Sequence, residues 1–250
     1  MTSLVFIVQV LDPKLHPLAN MARVAAYTKR EHVVYGLVLE ALLAHRSPEN
    51  NYIIFPQLYI DWKPQTTDKR HVIPDFGIGR YIFNDLCFLL QGGAEVKPMI
   101  GGLSQNSVSE GVPFFWYLKQ MHRDNFERAF TTAVSGAYLQ AEDQIKSALK
   151  CGHLPYKHDM VYQWLIFVGP YFRSYDFGPF NEAQIKTRGH RPNPSGDSAE
   201  LNYLLNRSVS LGDWFVVGSE DGHNHLQEYI RGTARFLNRP EDAVSDYPQP

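Results

Sequence analysis

"LCFLLQGGAEVKP", residues 86–98, decides how the rest of the chain is interpreted. Its apolar start is typical of a buried strand, and it ends with Glu95 and Lys97 on either side of Val96. Side chains two positions apart on an extended strand point to the same face. We therefore expect Glu95 and Lys97 side by side at the end of a core strand, either as a surface ion pair or as half of a metal site.

The segments around this stretch predict a mixed central sheet flanked by helices. The pattern indicates a helix, two strands, the strand just quoted, a long helix and a fourth strand, at residues 19–46, 51–62, 72–83, 86–98, 125–150 and 160–172. A three-strand meander followed by a crossover helix and a further strand is typical of an α/β fold.

The length of the chain, 250 residues, suits a single domain, which we predict over 1–250. Its core is expected at about 22–170. A polar, Pro- and Gly-rich insertion follows at about 178–200, and a C-terminal strand and helix at about 211–238.

Composition limits the function classes. A hydrophobic fraction of 44% excludes a disordered chain, and a net charge of -2 provides no overall basic field for nucleic acid. The two cysteines, Cys87 and Cys151, form neither a disulfide framework nor a zinc spacing. No stretch approaches the roughly 20 apolar residues of a membrane helix, and no signal peptide is evident. We expect a soluble intracellular protein, cytoplasmic or nuclear and not secreted, of unspecified oligomeric state.

Two acids lie on neighbouring predicted strands. Asp75 follows Pro74 in "IPDFGIG", and Glu95 lies on the next strand. If these strands pair, the carboxylates converge, and they repel each other unless a cation or proton lies between them. Oxygen ligands favour Mg²⁺ or Mn²⁺, and the Val96 carbonyl is a candidate additional ligand. Lys97 would then orient a water molecule or stabilise charge on a phosphate.

A third acid, Glu40, lies among leucines in "GLVLEALL" on the first helix. A buried carboxylate is costly without a partner, and the same metal would provide one. Glu31 competes for this role, and a position on the polar edge of the helix is the alternative for Glu40. The corresponding alternatives are turn chemistry after proline for Asp75 and an exposed ion pair for Glu95 and Lys97.

The order of a helix glutamate, "PD" on the second strand and "ExK" on the third, followed by a helix and a strand, resembles the PD-(D/E)XK nuclease superfamily. It is similar in style to the divergent fungal and viral members. The resemblance covers about 22–170 and implies a restriction-endonuclease-like αβββαβ core. It also implies hydrolysis of DNA or RNA phosphodiester bonds with Mg²⁺ or Mn²⁺.

The resemblance also implies roles for particular residues. Asp75 and Glu95 would bind metal, with Glu40 as the helix acid and Lys97 as the catalytic lysine. A polar residue on the following helix, Gln144 or alternatively Gln140, would complete the site. The segment after Lys97 is longer than a minimal core needs, and we find no accessory DNA-binding motif. The main alternative is a catalytically inactive relative that binds nucleic acid or protein; the near-neutral net charge favours it, and the acid-acid-lysine set argues against it. A third interpretation is a hydrolase of small phosphorylated substrates.

Several residues outside this set are also candidates. His223 and His225, beside Asp221, suggest a metal site, an acid/base centre or a helix cap, and His32 is a speculative extra ligand. The remaining candidates are contacts to nucleic acid. The basic segment 186–191 offers phosphate contacts, or simply a solvated loop, through Lys186, Arg188, His190 and Arg191. Base stacking, or alternatively core packing, is expected of Trp116 and Tyr117.

Overall fold

A computed structural model describes residues 16–46, 53–57, 74–82, 87–99, 124–186 and 214–237. These residues form a six-stranded mixed sheet flanked by helices, which confirms the predicted α/β class. The elements are α1 (His16–Tyr27), α2 (Glu31–Ala44), β1 (Ile53–Pro56), β2 (Phe76–Ile82), β3 (Cys87–Lys97), α3 (Asp124–Lys150), β4 (Tyr162–Val168), β5 (Tyr171–Phe177), α4 (Glu182–Lys186), β6 (Phe215–Val216) and α5 (Glu220–Leu237).

The strands lie in chain order from β1 to β6. The first three form the predicted antiparallel meander. The crossover through α3 then places β4 parallel to β3, as a long helical connection allows. β4 therefore lies in the interior of the sheet, and six of its seven residues are buried.

Helices cover both faces of the sheet. Successive residues of a strand point to opposite faces. On β3, the Cβ direction of Gly92 leads to Tyr229 of α5, whereas Glu95, three positions on, reaches Gln144 of α3. α5 and α3 therefore lie on opposite sides of β3.

A β-bulge on β3 sets which of its residues face α3. Ile78 pairs with Gly92 and Gly79 with Leu90, so Gln91 is the extra residue. Beyond the bulge the register is regular, and Gly93, Glu95 and Lys97 share one face. A side chain at Gly93 would meet the Trp164 ring, with only 2.1 Å between its Cβ and the nearest ring atom. The glycine therefore allows an indole to pack against the strand that carries the acids.

The single first helix predicted at 19–46 is wrong, because the structure has two helices. Residues 28–30 separate α1 from α2, and Arg30 has an extended backbone with φ -88°. The Thr28 hydroxyl accepts a hydrogen bond from the Arg30 amide at 3.1 Å. Such a local side-chain bond competes with helix continuation, which explains the break.

The single strand predicted at 160–172 is also wrong, because this segment turns back on itself as the β4–β5 hairpin. Val168 pairs with Tyr171 across a two-residue turn, and Gly169 has a φ of +58°. A glycine at the first turn position supplies the backbone conformation that tight hairpins need. The turn residues, Gly169 and Pro170, lie inside an apolar run that predicts a continuous strand.

The C-terminal strand and helix predicted from the sequence are both present in the structure. The strand predicted within 212–219 is the short β6, and the predicted helix begins at Glu220. The Ser219 hydroxyl caps that helix by accepting the Gly222 amide at 3.1 Å. Part of the predicted insertion, 187–200, lies outside the described residues, and the single-domain organisation stays a prediction. In the part of the chain that the structure describes, no helix has the length and apolar character needed to cross a membrane.

Candidate active site

Asp75 lies at the point where the β2–β3 ladder ends. The last paired residues are Phe76 and Ala94, so the amide of Val96 has no β2 carbonyl opposite it. The Asp75 Oδ2 takes that place and accepts the Val96 N–H at 2.7 Å. Only 9% of Asp75 is exposed. Its carboxylate therefore completes the end of the β2–β3 ladder and is held beside the end of β3.

Glu95 lies next to Asp75 and is fixed by two partners. Lys97 Nζ donates to its Oε1 at 2.7 Å, and Gln144 Nε2 donates to its Oε2 at 2.6 Å. Glu95 and Gln144 are 2% and 4% exposed, whereas the Lys97 side chain is 24% exposed. The sheet and α3 thus place the lysine ammonium at the boundary between the buried carboxylates and solvent.

The two carboxyl groups perturb each other. Burial raises the pKa of Asp75, although hydrogen bonds from Tyr35, Val96 and Glu95 oppose this rise. Burial and the negative charge of Asp75 raise the pKa of Glu95 to about 7, against the opposing effects of Lys97 and Gln144. The two carboxyl groups are close enough for each to affect the pKa of the other. One lysine does not compensate two buried carboxylates, so the pair retains a proton near neutral pH.

Tyr35 of α2 completes the cluster, and sequence analysis missed it. Its hydroxyl donates to Asp75 Oδ1, and its ring lies 5.7 Å from that of Phe76. Glu31, one helical turn earlier, is exposed, and its charge contributes to raising the pKa of Tyr35. The i, i+4 spacing of Glu31 and Tyr35 was visible in the sequence, but nothing in the sequence alone showed that this face meets Asp75.

The structure does not place Glu40 at the site. Glu40 is exposed, so the expectation of a buried acid that needs a partner is wrong. It follows Tyr35 by five residues, which is about 140° around a helix at 3.6 residues per turn. Glu31 therefore fits the place of a helix acid better than Glu40. Gln140 and His32 are exposed as well.

His223 and His225 do not converge on one centre. His223 Nδ1 lies 2.7 Å from His45 Nε2 at the end of α2. His225 Nε2 instead lies 3.0 Å from the Ser174 hydroxyl, and its ring stacks on Phe215. The helix cap suggested for this segment comes from Ser219 rather than from a histidine.

The candidate contacts to nucleic acid are largely outside the described residues. Lys186 is exposed at the end of α4 and pairs with Glu182 at 3.2 Å. The other members of this group fall outside the described residues, namely Arg188, His190, Arg191, Trp116 and Tyr117.

The carboxylate pair, Asp75 and Glu95, provides part of the ligand set of a small divalent cation. Within the described ranges, no group of three or more His, Cys, Asp or Glu side chains could hold a metal. Mg²⁺, however, is commonly held by one or two carboxylates, with water and substrate phosphate completing its shell. Two adjacent buried carboxylates with raised pKa values match that donor set. Val96 contributes its amide to Asp75, and a metal-ligating role for its carbonyl stays a prediction.

Comparisons of the chain with protein-family models, curated proteins and solved structures found no significant match. The resemblance to the PD-(D/E)XK superfamily therefore rests on the order of the residues along the chain. The order α2, β1, β2, β3, α3, β4 agrees with the αβββαβ order that the resemblance implies.

Proposed function

We propose that the protein is a Mg²⁺- or Mn²⁺-dependent nuclease that hydrolyses phosphodiester bonds of DNA or RNA. The observation that carries the proposal is the convergence of Asp75, Glu95 and Lys97 at the end of β3. Two adjacent buried carboxylates with raised pKa values are unfavourable for folding. A site that keeps such a pair beside a partly exposed lysine suits cation binding and charge stabilisation.

In this proposal Asp75 and Glu95 hold the cation. A bound divalent cation would polarise the phosphate, lower the pKa of a water molecule and neutralise developing negative charge. Because Val96 and Gln144 each donate to one of the two carboxylates, both are pre-oriented before any cation enters. Pre-orientation reduces the reorganisation that binding requires.

Lys97 has a separate role. Its Nζ lies at the solvent boundary, 2.7 Å from Glu95 Oε1. Glu95 is itself held by the hydrogen bond from Gln144. From there the ammonium can donate to an attacking water or to a phosphate oxygen. Gln144 keeps Glu95 in place and needs no direct contact with substrate.

A second candidate is a catalytically inactive relative that binds nucleic acid or protein. One observation favours it, because each of the four carboxylate oxygens already accepts a hydrogen bond, from Tyr35, Val96, Lys97 and Gln144. In this candidate the cluster has a structural role and completes the end of the β2–β3 ladder. Metal-dependent cleavage separates the two candidates.

The other features of the proposal rest on sequence alone. An intracellular location, cytoplasmic or nuclear, follows from the few cysteines. The basic segment 186–191 is proposed to contact phosphates, and Lys186 lies exposed at its start.

The test is cleavage of single- and double-stranded DNA and RNA with Mg²⁺, Mn²⁺ or EDTA, using wild type, Asp75→Asn and Lys97→Met. Lys146→Met is a matched control, because Lys146 is also partly buried and paired with a glutamate, Glu142. We expect cleavage that needs the metal, a loss of about 10²–10³-fold in both site variants, and near wild-type activity in the control. A wild type that cleaves no substrate would support the inactive relative.

A further inference from the structure

The Tyr35 hydroxyl makes a contact that the packing of its ring does not require. The ring of Tyr35 packs against Phe76, which a phenylalanine would do equally well. The hydroxyl is the additional feature, and it donates a hydrogen bond to Asp75 Oδ1. Without that bond, an acceptor of the buried Asp75 carboxylate would lose its donor.

The geometry around Asp75 shows what the bond controls. Val96 of β3 holds one carboxylate oxygen, and Tyr35 of α2 holds the other. Donors from two different elements therefore fix both the position and the rotation of the carboxylate. With the Val96 bond alone, the group could rotate about that single contact, away from Glu95.

We propose that Tyr35 is a positioning residue, whose hydroxyl holds the Asp75 carboxylate in the orientation in which it binds the divalent cation. The inference rests on the proposed function. Groups that orient a metal ligand without touching the metal typically contribute 10- to 100-fold to metal affinity.

The test is Mn²⁺ binding to Tyr35→Phe, measured by isothermal titration calorimetry, together with cleavage as a function of Mn²⁺ concentration. We expect Mn²⁺ to bind about 10- to 100-fold more weakly. Because the hydroxyl acts through Asp75, saturating Mn²⁺ should restore most of kcat. Thermal unfolding in EDTA, with circular dichroism, checks that the variant folds.

Tyr162→Phe is the matched control, because it removes a buried hydroxyl that donates to the Pro155 carbonyl at 2.8 Å. We expect this variant to lose thermal stability and to bind Mn²⁺ like wild type. If Tyr35→Phe also binds Mn²⁺ like wild type, the positioning role is overturned and the proposed function stands. A Tyr35→Phe chain that does not fold makes the hydroxyl structural and contradicts the positioning role as well. If wild type neither binds Mn²⁺ nor cleaves nucleic acid, the proposed function itself fails.

Discussion

Two contacts between titratable side chains of the same kind are stabilised in different ways. One is the carboxylate pair, Asp75 and Glu95, and the other is the imidazole pair, His45 and His223. Each brings two side chains of the same kind together, the carboxylates in a buried setting and the imidazoles in a partly buried one. The two imidazoles form a hydrogen bond with each other. His45 Nδ1 must donate to the Ala41 carbonyl at 2.6 Å, since a carbonyl can only accept, so in neutral His45 the Nε2 accepts from His223 at 2.7 Å.

The carboxylates have no such solution when both are ionised, because an ionised carboxylate only accepts. The pair instead depends on four surrounding donors, and its pKa values are still raised. The imidazole pair needs no ligand, whereas two adjacent carboxylates need a proton or a cation between them, which suits a cation site. This difference separates a structural contact from a candidate active site.

The largest contrast between the pairs is expected in catalysis. Glu95→Gln should lower metal-dependent cleavage by about 10²–10³-fold, because it removes a charged group from the proposed metal site. His223→Asn should leave cleavage within about threefold of wild type, since the imidazole pair has no catalytic role here. Initial rates at saturating Mg²⁺ measure both, and equal losses in the two variants would remove the distinction.

The second contrast concerns stability without metal. The pKa of Glu95 rises from 4.5 to about 7 on folding, so the native state binds more protons than the unfolded state between these values. Its stability therefore falls as pH rises through that window. Glu95→Gln should be more stable than wild type at pH 8 in EDTA, by about 1–3 kcal/mol, and similar at pH 4.5. Urea unfolding at both pH values is the measurement, and a destabilised variant at pH 8 would contradict the account.

A smaller effect is expected at Gln144, which connects α3 to the carboxylate pair. Gln144→Leu removes the donor to Glu95 Oε2, so the pKa of Glu95 should rise further. The variant should lose about 1–2 kcal/mol of stability at pH 8. Gln140→Leu, at an exposed position one turn earlier, should change stability little, and matching losses in both variants would assign the effect to the helix rather than to the hydrogen bond.

The smallest effect is expected for the imidazole pair, and it has the opposite sign. Burial and the nearby His223 lower the pKa of His45 below 6.5. The native state therefore binds fewer protons than the unfolded state below pH 6.5, and stability is lost as pH falls through the lower, folded-state pKa. His45→Gln should flatten this part of the pH profile while leaving the loss of stability between pH 4.5 and 7 that comes from Glu95.

The sequence predicted the parts of the fold that depend on strong local patterns. The meander, the long α3 and the placing of Asp75, Glu95 and Lys97 followed from alternation, helical spacing and residue order. Gln144, with Gln140 as the alternative, came only from the resemblance to the PD-(D/E)XK superfamily. The β4–β5 hairpin and the break at Thr28 were missed because a short local signal was embedded in a longer pattern. Such signals depend on single residues, namely a Gly-Pro turn and one threonine hydroxyl.

The rest of the site could not be predicted because it depends on which helix face meets the sheet. The prediction of Glu40 as the helix acid rested on its apolar neighbours, but Glu40 itself is exposed. Tyr35 carries no charge and lies 40 residues from Asp75 in sequence. The pairing of His45 with His223 spans 178 residues. Contacts over such separations are set by tertiary packing rather than by local pattern.

The most direct test of the central claim, that the Asp75 and Glu95 pair is a cation site, is the number of protons released when Mn²⁺ binds. Calorimetric titration in two buffers of different ionisation enthalpy, at pH 6 and at pH 8.5, gives this number. With the pKa of Glu95 at about 7, we expect close to one proton released at pH 6 and close to none at pH 8.5, with no binding by Asp75→Asn. Absence of binding in wild type, or binding without proton release at pH 6, would contradict the account.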